Sequence, residues 1–191
     1  MRKNRIFLYI LLVLLLISGC AAQPDPQPTS QSFAAIGGKS VFGTFVTTDM
    51  AGNPVNEEIF RGHKLTMVNI WGTFCQPCIR EMPELAQLHT QYGDAFQVVG
   101  IIVDAADKNG NILPDKKAEA ARIMAATAAD YPQLLPSKSL NSAYLNNVRS
   151  VPETIFLDEN GNRIGESYLG AKNKNEWMQI IDSLLKTLSA E

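Results

Sequence analysis

Residues 67–83 read M-V-N-I-W-G-T-F-C-Q-P-C-I-R-E-M-P. The apolar run 67–71 has strand composition, and it ends at Gly72-Thr73 before Cys75, Gln76, Pro77 and Cys78 open a helix. A thiolate, not a thiol, attacks disulfides. The free N–H groups and the macrodipole at a helix start favour that anion, so a cysteine there has a lowered pKa. Cys75 is the candidate nucleophile. With two residues between them, Cys78 can reach back, close a disulfide with Cys75 and end a mixed disulfide by intramolecular attack. Cys78 is then the resolving cysteine. Two other readings compete: a buried structural disulfide and half of a zinc site. Zinc asks for four ligands, and outside the pair the chain offers Cys20, His63 and His89, with no second Cys-x-x-Cys. No metal is expected.

After the pair, Met82, Leu85, Ala86 and His89 recur at helical spacing, so the helix packs one face on a sheet with His89 at its edge. Pro83 falls inside this helix, where it removes the bond to the Ile79 carbonyl. Residues 98–103 are continuously apolar, as in a strand buried on both faces. A polar loop follows over 107–114, and Asp115 is placed to cap a helix whose face is Ala121, Met124, Ala125 and Ala128. Leu134-Leu135 reads as a short strand and 140–148 as a brief helix. Strands over 154–158 and 163–168, joined by Glu159-Asn160-Gly161-Asn162, make a hairpin. Trp177, Ile180, Ile181, Leu184, Leu185 and Leu188 give an amphipathic terminal helix. Ahead of the central strand, 41–46 reads as a strand, Ala51-Gly52-Asn53-Pro54 as a turn, and Val55, Ile59 and Phe60 as a short segment. His63 reads as a solvated loop histidine.

Residues 1–20 form a targeting segment outside the fold. Arg2, Lys3 and Arg5 make a basic head, 6–17 is an unbroken apolar run of twelve residues, and Ser18-Gly19-Cys20 follows. Such a run spans about 18 Å as a helix against a hydrocarbon core of about 30 Å, which favours a signal peptide over a spanning helix. An uncleaved short anchor is the rival. Small residues before Cys20 resemble the bacterial lipobox, which implies acylation of Cys20 and leaves one pair of thiols. Either way the domain would face outside the cytoplasm, tethered to the membrane. Residues 21–39, with Pro24, Pro26 and Pro28, read as a flexible linker, and 40–191 as one domain. The formal charge is −2, and without the three leader cations 14 basic face 19 acidic residues, or −5. No basic cluster points to nucleic acid.

The segment V-N-I-W-G-T-F-C-x-P-C-x-x-E-M-P resembles the active site of the thioredoxin superfamily. It is similar to the TlpA-like, membrane-anchored branch, which includes ResA and the cytochrome-maturation thioredoxin CcmG. A second signature, Val151-Pro152-Glu153-Thr154, stands where that family places its cis-proline, so the likeness runs from about Val41 onward. It implies an α/β, thioredoxin-like fold, a mixed central sheet flanked by helices with an N-terminal extension and a central insertion. It also implies that Pro152 is cis beside the Cys pair and that Val151 offers main-chain groups to an extended substrate. Glu153 is similar to the cytochrome-maturation proteins at this point and joins the candidate substrate-binding residues. Trp71 and Phe74 flank the motif and are candidates too, with core and rim packing as the competing reading. Asn69 falls where cytoplasmic thioredoxins place a buried Asp. Glu81, three residues after Cys78 on the same helix face, matches a Glu of the TlpA-like branch and is the candidate acceptor of the Cys78 proton. Its rival reading is a solvated carboxylate.

These readings point to an extracytoplasmic thiol-disulfide oxidoreductase acting as a protein disulfide reductase. No nicotinamide or flavin motif occurs, so no cofactor is expected and electrons must come from a partner protein. The resemblance implies a membrane thiol-electron transporter of the CcdA or DsbD type. Clients would carry disulfides, with apocytochrome c or a methionine sulfoxide reductase as candidates. Three alternatives stay open. One is a thiol oxidase of the DsbA kind, whose Cys-Pro-x-Cys order differs from the Pro77 position here. Another is a peroxiredoxin, which needs a Thr where this chain has Gly72. The last is a non-enzymatic metal-binding or interaction module on the same fold.

Overall fold

The strand Leu65–Trp71 is buried along its whole length, as a strand must be when helices or loops cover both of its faces. The computed structural model describes residues 40–190. The leader, the lipidation of Cys20 and the 21–39 linker lie outside the described residues. In chain order the elements are β1 Val46–Thr48, β2 Pro54–Asn56, β3 Leu65–Trp71, α1 Gln76–Gln91, β4 Phe96–Ile102, α2 Pro114–Thr127, β5 Gln133–Leu134, α3 Lys138–Ala143, β6 Glu153–Asp158, β7 Arg163–Leu169 and α4 Lys174–Leu188.

The main sheet has the order β5-β4-β3-β6-β7. β3 and β4 run parallel, as do β4 and β5, while β6 is antiparallel to both β3 and β7. This is the mixed α/β sheet expected from the sequence. Period-two alternation divides its side chains between two cores. Leu65, Met67 and Trp71 join Met82 and Leu85 of α1 and Trp177, Ile181 and Leu184 of α4 on one face. Val68, Ile70, Val99 and Ile101 join Phe42, Phe45, Phe60 and Leu140 on the other. Asn69 therefore faces α1, in the register of Leu65, Met67 and Trp71.

The stretch 41–46 is not the strand its composition predicts, since only Val46 enters β1. Gly43 adopts a positive φ of 52°. That turn lets Phe42 and Phe45, an odd number of residues apart, both reach one core, which a continuous strand would forbid. The two rings meet at a centroid distance of 6.2 Å, both pack on Phe60 at 5.2 and 5.9 Å, and Phe42 also packs on Tyr144 at 5.0 Å.

A second correction concerns α2. It buries Ala120 and Thr127, with Ile123 and the expected Met124 packed on the core, whereas Ala121, Ala125 and Ala128 are exposed. Alanine fits either face, so the bulk of Ile123 and Thr127 settles the orientation. Pro114 occupies the first helical position and Asp115 lies inside the first turn instead of capping it. His63 is half-buried with its Nδ1 enclosed, not solvated. His89 accepts a hydrogen bond at Nδ1 from the Val98 N–H, 3.0 Å, tying α1 to β4.

Gly100 of β4 is required by a close approach. The Gln133 side chain lies across it, and a Cβ there would stand 2.0 Å from Gln133 Oε1. That oxygen accepts the Trp71 Nε1–H at 2.8 Å in a buried setting. Gly100→Ala is therefore expected to displace Gln133, orphan the indole N–H and cost about 1–3 kcal/mol. Urea unfolding of the variant checks this, and an unchanged midpoint would contradict it.

Candidate active site

β3 ends at Trp71, and the chain turns at once, with the Cys75 N–H donating to the Gly72 carbonyl at 3.0 Å. Cys75 becomes the N-cap of α1 and Pro77 lies in the helix's first turn, where its missing N–H costs nothing. A disulfide joins Cys75 to Cys78, with their Cα atoms 5.3 Å apart. The Cys78 N–H donates to Cys75 Sγ at 3.2 Å. In the reduced state the same N–H and the field of the helix start would favour a thiolate on Cys75. Cys78 is wholly buried, whereas Cys75 retains 5 % exposure. An incoming sulfur therefore meets Cys75 first. Around it Phe74 is 64 % exposed, and Gln76 and Pro77 are exposed as well.

Beneath the pair lies a buried polar cluster. Glu81, one turn beyond Cys78 on α1, is only 3 % exposed, which corrects the reading of a solvated carboxylate. Its Oε1 accepts from Asn69 Nδ2 at 3.0 Å and its Oε2 from the Lys172 N–H at 3.2 Å. Asn69 Nδ2 also donates to Thr154 Oγ1 at 3.1 Å, across the β3–β6 pairing in which these two residues stand opposite one another. Burial raises the Glu81 pKa to about 7, against the opposing pull of the Lys172 and Asn69 donors. The Trp177 indole adds a smaller downward pull, although its Nε1 completes no hydrogen bond of normal geometry among the described residues. A carboxyl that titrates near neutrality can exchange a proton with a thiol of ordinary pKa near 8.5.

The Val151–Pro152 peptide is cis. Pro152 is buried and its carbonyl accepts from the Gly170 N–H at 2.9 Å. Val151 is half-buried, and its main-chain groups make no backbone hydrogen bond among the described residues. They are free to pair with an added strand. Two candidate substrate contacts are corrected by their burial. Trp71 is fully enclosed, held by Gln133. Glu153 turns inward, its Oε1 accepting from Tyr144 Oη at 2.7 Å and Ser167 Oγ at 2.9 Å. Burial, with donation to Glu153, pushes the Tyr144 hydroxyl up to about 12. Of the flanking residues, Phe74 is exposed and Val151 half-buried, whereas the Pro152 ring is buried.

Sequence reasoning missed Thr154 and Lys172 as partners in the Glu81 cluster. Thr154 is placed by strand register, which no local pattern reveals, and Lys172 acts through its main chain, which carries no side-chain signal. Among the described residues, no group of three or more His, Cys, Asp and Glu side chains is arranged to hold a metal ion.

Comparison with known proteins agrees with this architecture. The chain is 34 % identical over 120 residues to the thioredoxin-like protein YneN of Bacillus subtilis, covering 62 % of this chain and 64 % of that protein. It is 31 % identical over 110 residues to the thiol-disulfide oxidoreductase ResA of Bacillus cereus, covering 56 % and 61 %. Each match thus spans less than two thirds of the relative's length. The fold is that of a thiol:disulfide interchange protein of the thioredoxin family from Chlorobium tepidum, with a TM-score of 0.61 at 21 % identity, covering 74 % of this chain and 93 % of that one. The Redoxin family model matches residues 26–182. With a thioredoxin-like sheet, a Cys-x-x-Cys pair at a helix start and a family match over most of its length, the chain belongs to the Redoxin family, within the thioredoxin superfamily.

Proposed function

We propose that this protein is a thiol-disulfide oxidoreductase that reduces disulfides in client proteins outside the cytoplasm, held at the membrane by a lipid on Cys20. The observation that carries the chemistry is the disulfide at the start of α1, whose inner cysteine precedes by one turn a buried carboxyl titrating near 7. In the reduced protein, the Cys75 thiolate attacks one sulfur of a client disulfide. The client S–S bond breaks, a mixed disulfide forms, and the leaving client thiolate takes a proton from solvent. Glu81 then accepts the Cys78 proton, and the Cys78 thiolate attacks Cys75 Sγ. The second client thiol is released and the Cys75–Cys78 disulfide is restored. Two electrons pass to the client in each cycle. A membrane dithiol donor of the CcdA or DsbD type must return them.

The likeness to thiol-disulfide oxidoreductases supports the dithiol chemistry, and the basic head, apolar run and Ser18-Gly19-Cys20 support the anchored, extracytoplasmic setting. Apocytochrome c and a methionine sulfoxide reductase are the client candidates, both being proteins whose function requires free thiols. Mixing the fully reduced full chain with an oxidised, unfolded disulfide protein tests the chemistry. One Cys75–Cys78 disulfide is expected for every client disulfide reduced. A client that stays oxidised while both protein thiols persist would overturn the proposal.

A further inference from the structure

The loop and helix that follow β4 touch the redox turn through one charged cluster. Thr73, two residues before Cys75, is 3 % exposed. Its N–H donates to Asp104 Oδ1 at 2.9 Å and its hydroxyl to Asp104 Oδ2 at 2.6 Å. The same hydroxyl accepts from Lys116 Nζ at 3.0 Å, so both its donor and an acceptor position are engaged. Lys116 also lies 3.7 Å from Asp104 Oδ2 and 2.9 Å from Glu119 Oε2. Its helix, α2, is not loosely attached. The Leu113 N–H bonds the Ala105 carbonyl at 2.9 Å, and Ala106 bridges Ile112. The lysine is thus delivered to the turn by a fixed element.

We infer that Lys116 is a positioning residue for the redox reaction: from α2 it locks the Thr73 turn and balances Asp104 and Glu119, so that a thiolate on Cys75 can form. The charge count gives the reason. Lys116 stands between the Asp104 and Glu119 carboxylates, and Arg122, also on α2, acts on Glu119 as well; loss of the Lys116 ammonium therefore leaves one more uncompensated negative charge beside the turn. A like charge nearby disfavours a thiolate. The side chains concerned are partly exposed, so the effect is a moderate one. On α1, the buried Glu81 lies one turn beyond Cys78 and Arg80 is exposed, and both are the same in every variant below. This role gives α2 a function that its sequence does not display.

The inference rests on the proposed dithiol chemistry, and the test separates the two. In the reduced full chain, the pH dependence of iodoacetamide alkylation reports the Cys75 pKa without any client. Lys116→Met is expected to raise that pKa, binding the proton about two- to fivefold more tightly. Glu119→Gln is expected to move it the other way, and Lys116→Arg to restore the wild-type value. A purely structural loosening would move the first two variants in the same direction. Such a common shift, or a Lys116→Met profile that matches wild type while wild-type Cys75 is reactive, overturns this inference alone. A wild-type Cys75 no more reactive than an ordinary cysteine overturns the reductase reading and this inference with it.

Discussion

Cys75→Ser is expected to abolish client reduction, by at least about a thousandfold, because the one thiol left among the described residues, Cys78, is wholly buried and a hydroxyl cannot take the thiolate's part. Cys78→Ser should fail differently. Cys75 keeps its place at the helix start, where the N–H of residue 78 still meets its sulfur, so the first attack proceeds. The second cannot, since no thiol follows. A covalent adduct of protein and client should therefore accumulate in the Cys78→Ser variant and disappear on adding dithiothreitol. Non-reducing electrophoresis of both variants reads the contrast. Adducts on Cys75→Ser and none on Cys78→Ser would reverse the assignment of the two cysteines, and the burial of Cys78 argues against that order.

Glu81→Gln is expected to slow resolution of the mixed disulfide by about a hundredfold, the usual scale for removing a placed proton acceptor. The same substitution should change how stability varies with pH. Burial holds the Glu81 carboxyl near 7, up from the ordinary 4.5. Between those values the folded chain keeps a proton that the unfolded chain releases. The carboxyl's contribution is complete below 4.5 and is lost as pH rises through 7. The wild-type protein should accordingly lose roughly 2–3 kcal/mol from this group between about pH 4 and pH 8, and Glu81→Gln should flatten that part of the curve. Denaturant titrations at several pH values measure the second effect, and quenched-flow trapping of the mixed disulfide the first. An unaltered resolution rate would remove Glu81 from the mechanism, even if the stability curve flattened as expected.

The parts of the fold that were legible in the sequence are those whose pattern is local. β3 is apolar on both faces, α1 and α4 carry helical periodicity, and the β6–β7 hairpin announces itself by Asn160-Gly161. In that turn Asp158 Oδ1 accepts the N–H groups of Asn160 and Asn162 at 2.9 and 2.8 Å. What escaped depends on residues far apart in the chain. The i, i+3 spacing of Cys78 and Glu81 shows a shared helix face, but the enclosure of Glu81 comes partly from Lys172, 91 residues later. Glu153 follows Pro152 directly and joins the candidate substrate-binding residues by resemblance. Its inward turn is decided by Tyr144 and Ser167, on segments the local sequence cannot place. The face of α2 was misread because alanine fixes no orientation, and the 41–46 strand because Gly43 redirects the chain. The link from Lys116 to Thr73 spans 43 residues and becomes visible only once β4 sets the two elements side by side.

A Cys75–Cys78 pair that works as a reductant must have a low reduction potential. Equilibrating the full chain against glutathione or dithiothreitol buffers at pH 7 and counting the Cys75–Cys78 disulfide gives the value. A potential near or below roughly −270 mV, the range of thioredoxin, is predicted. One near roughly −120 mV, the range of DsbA, would make the pair an oxidant and overturn its assignment as a reductase.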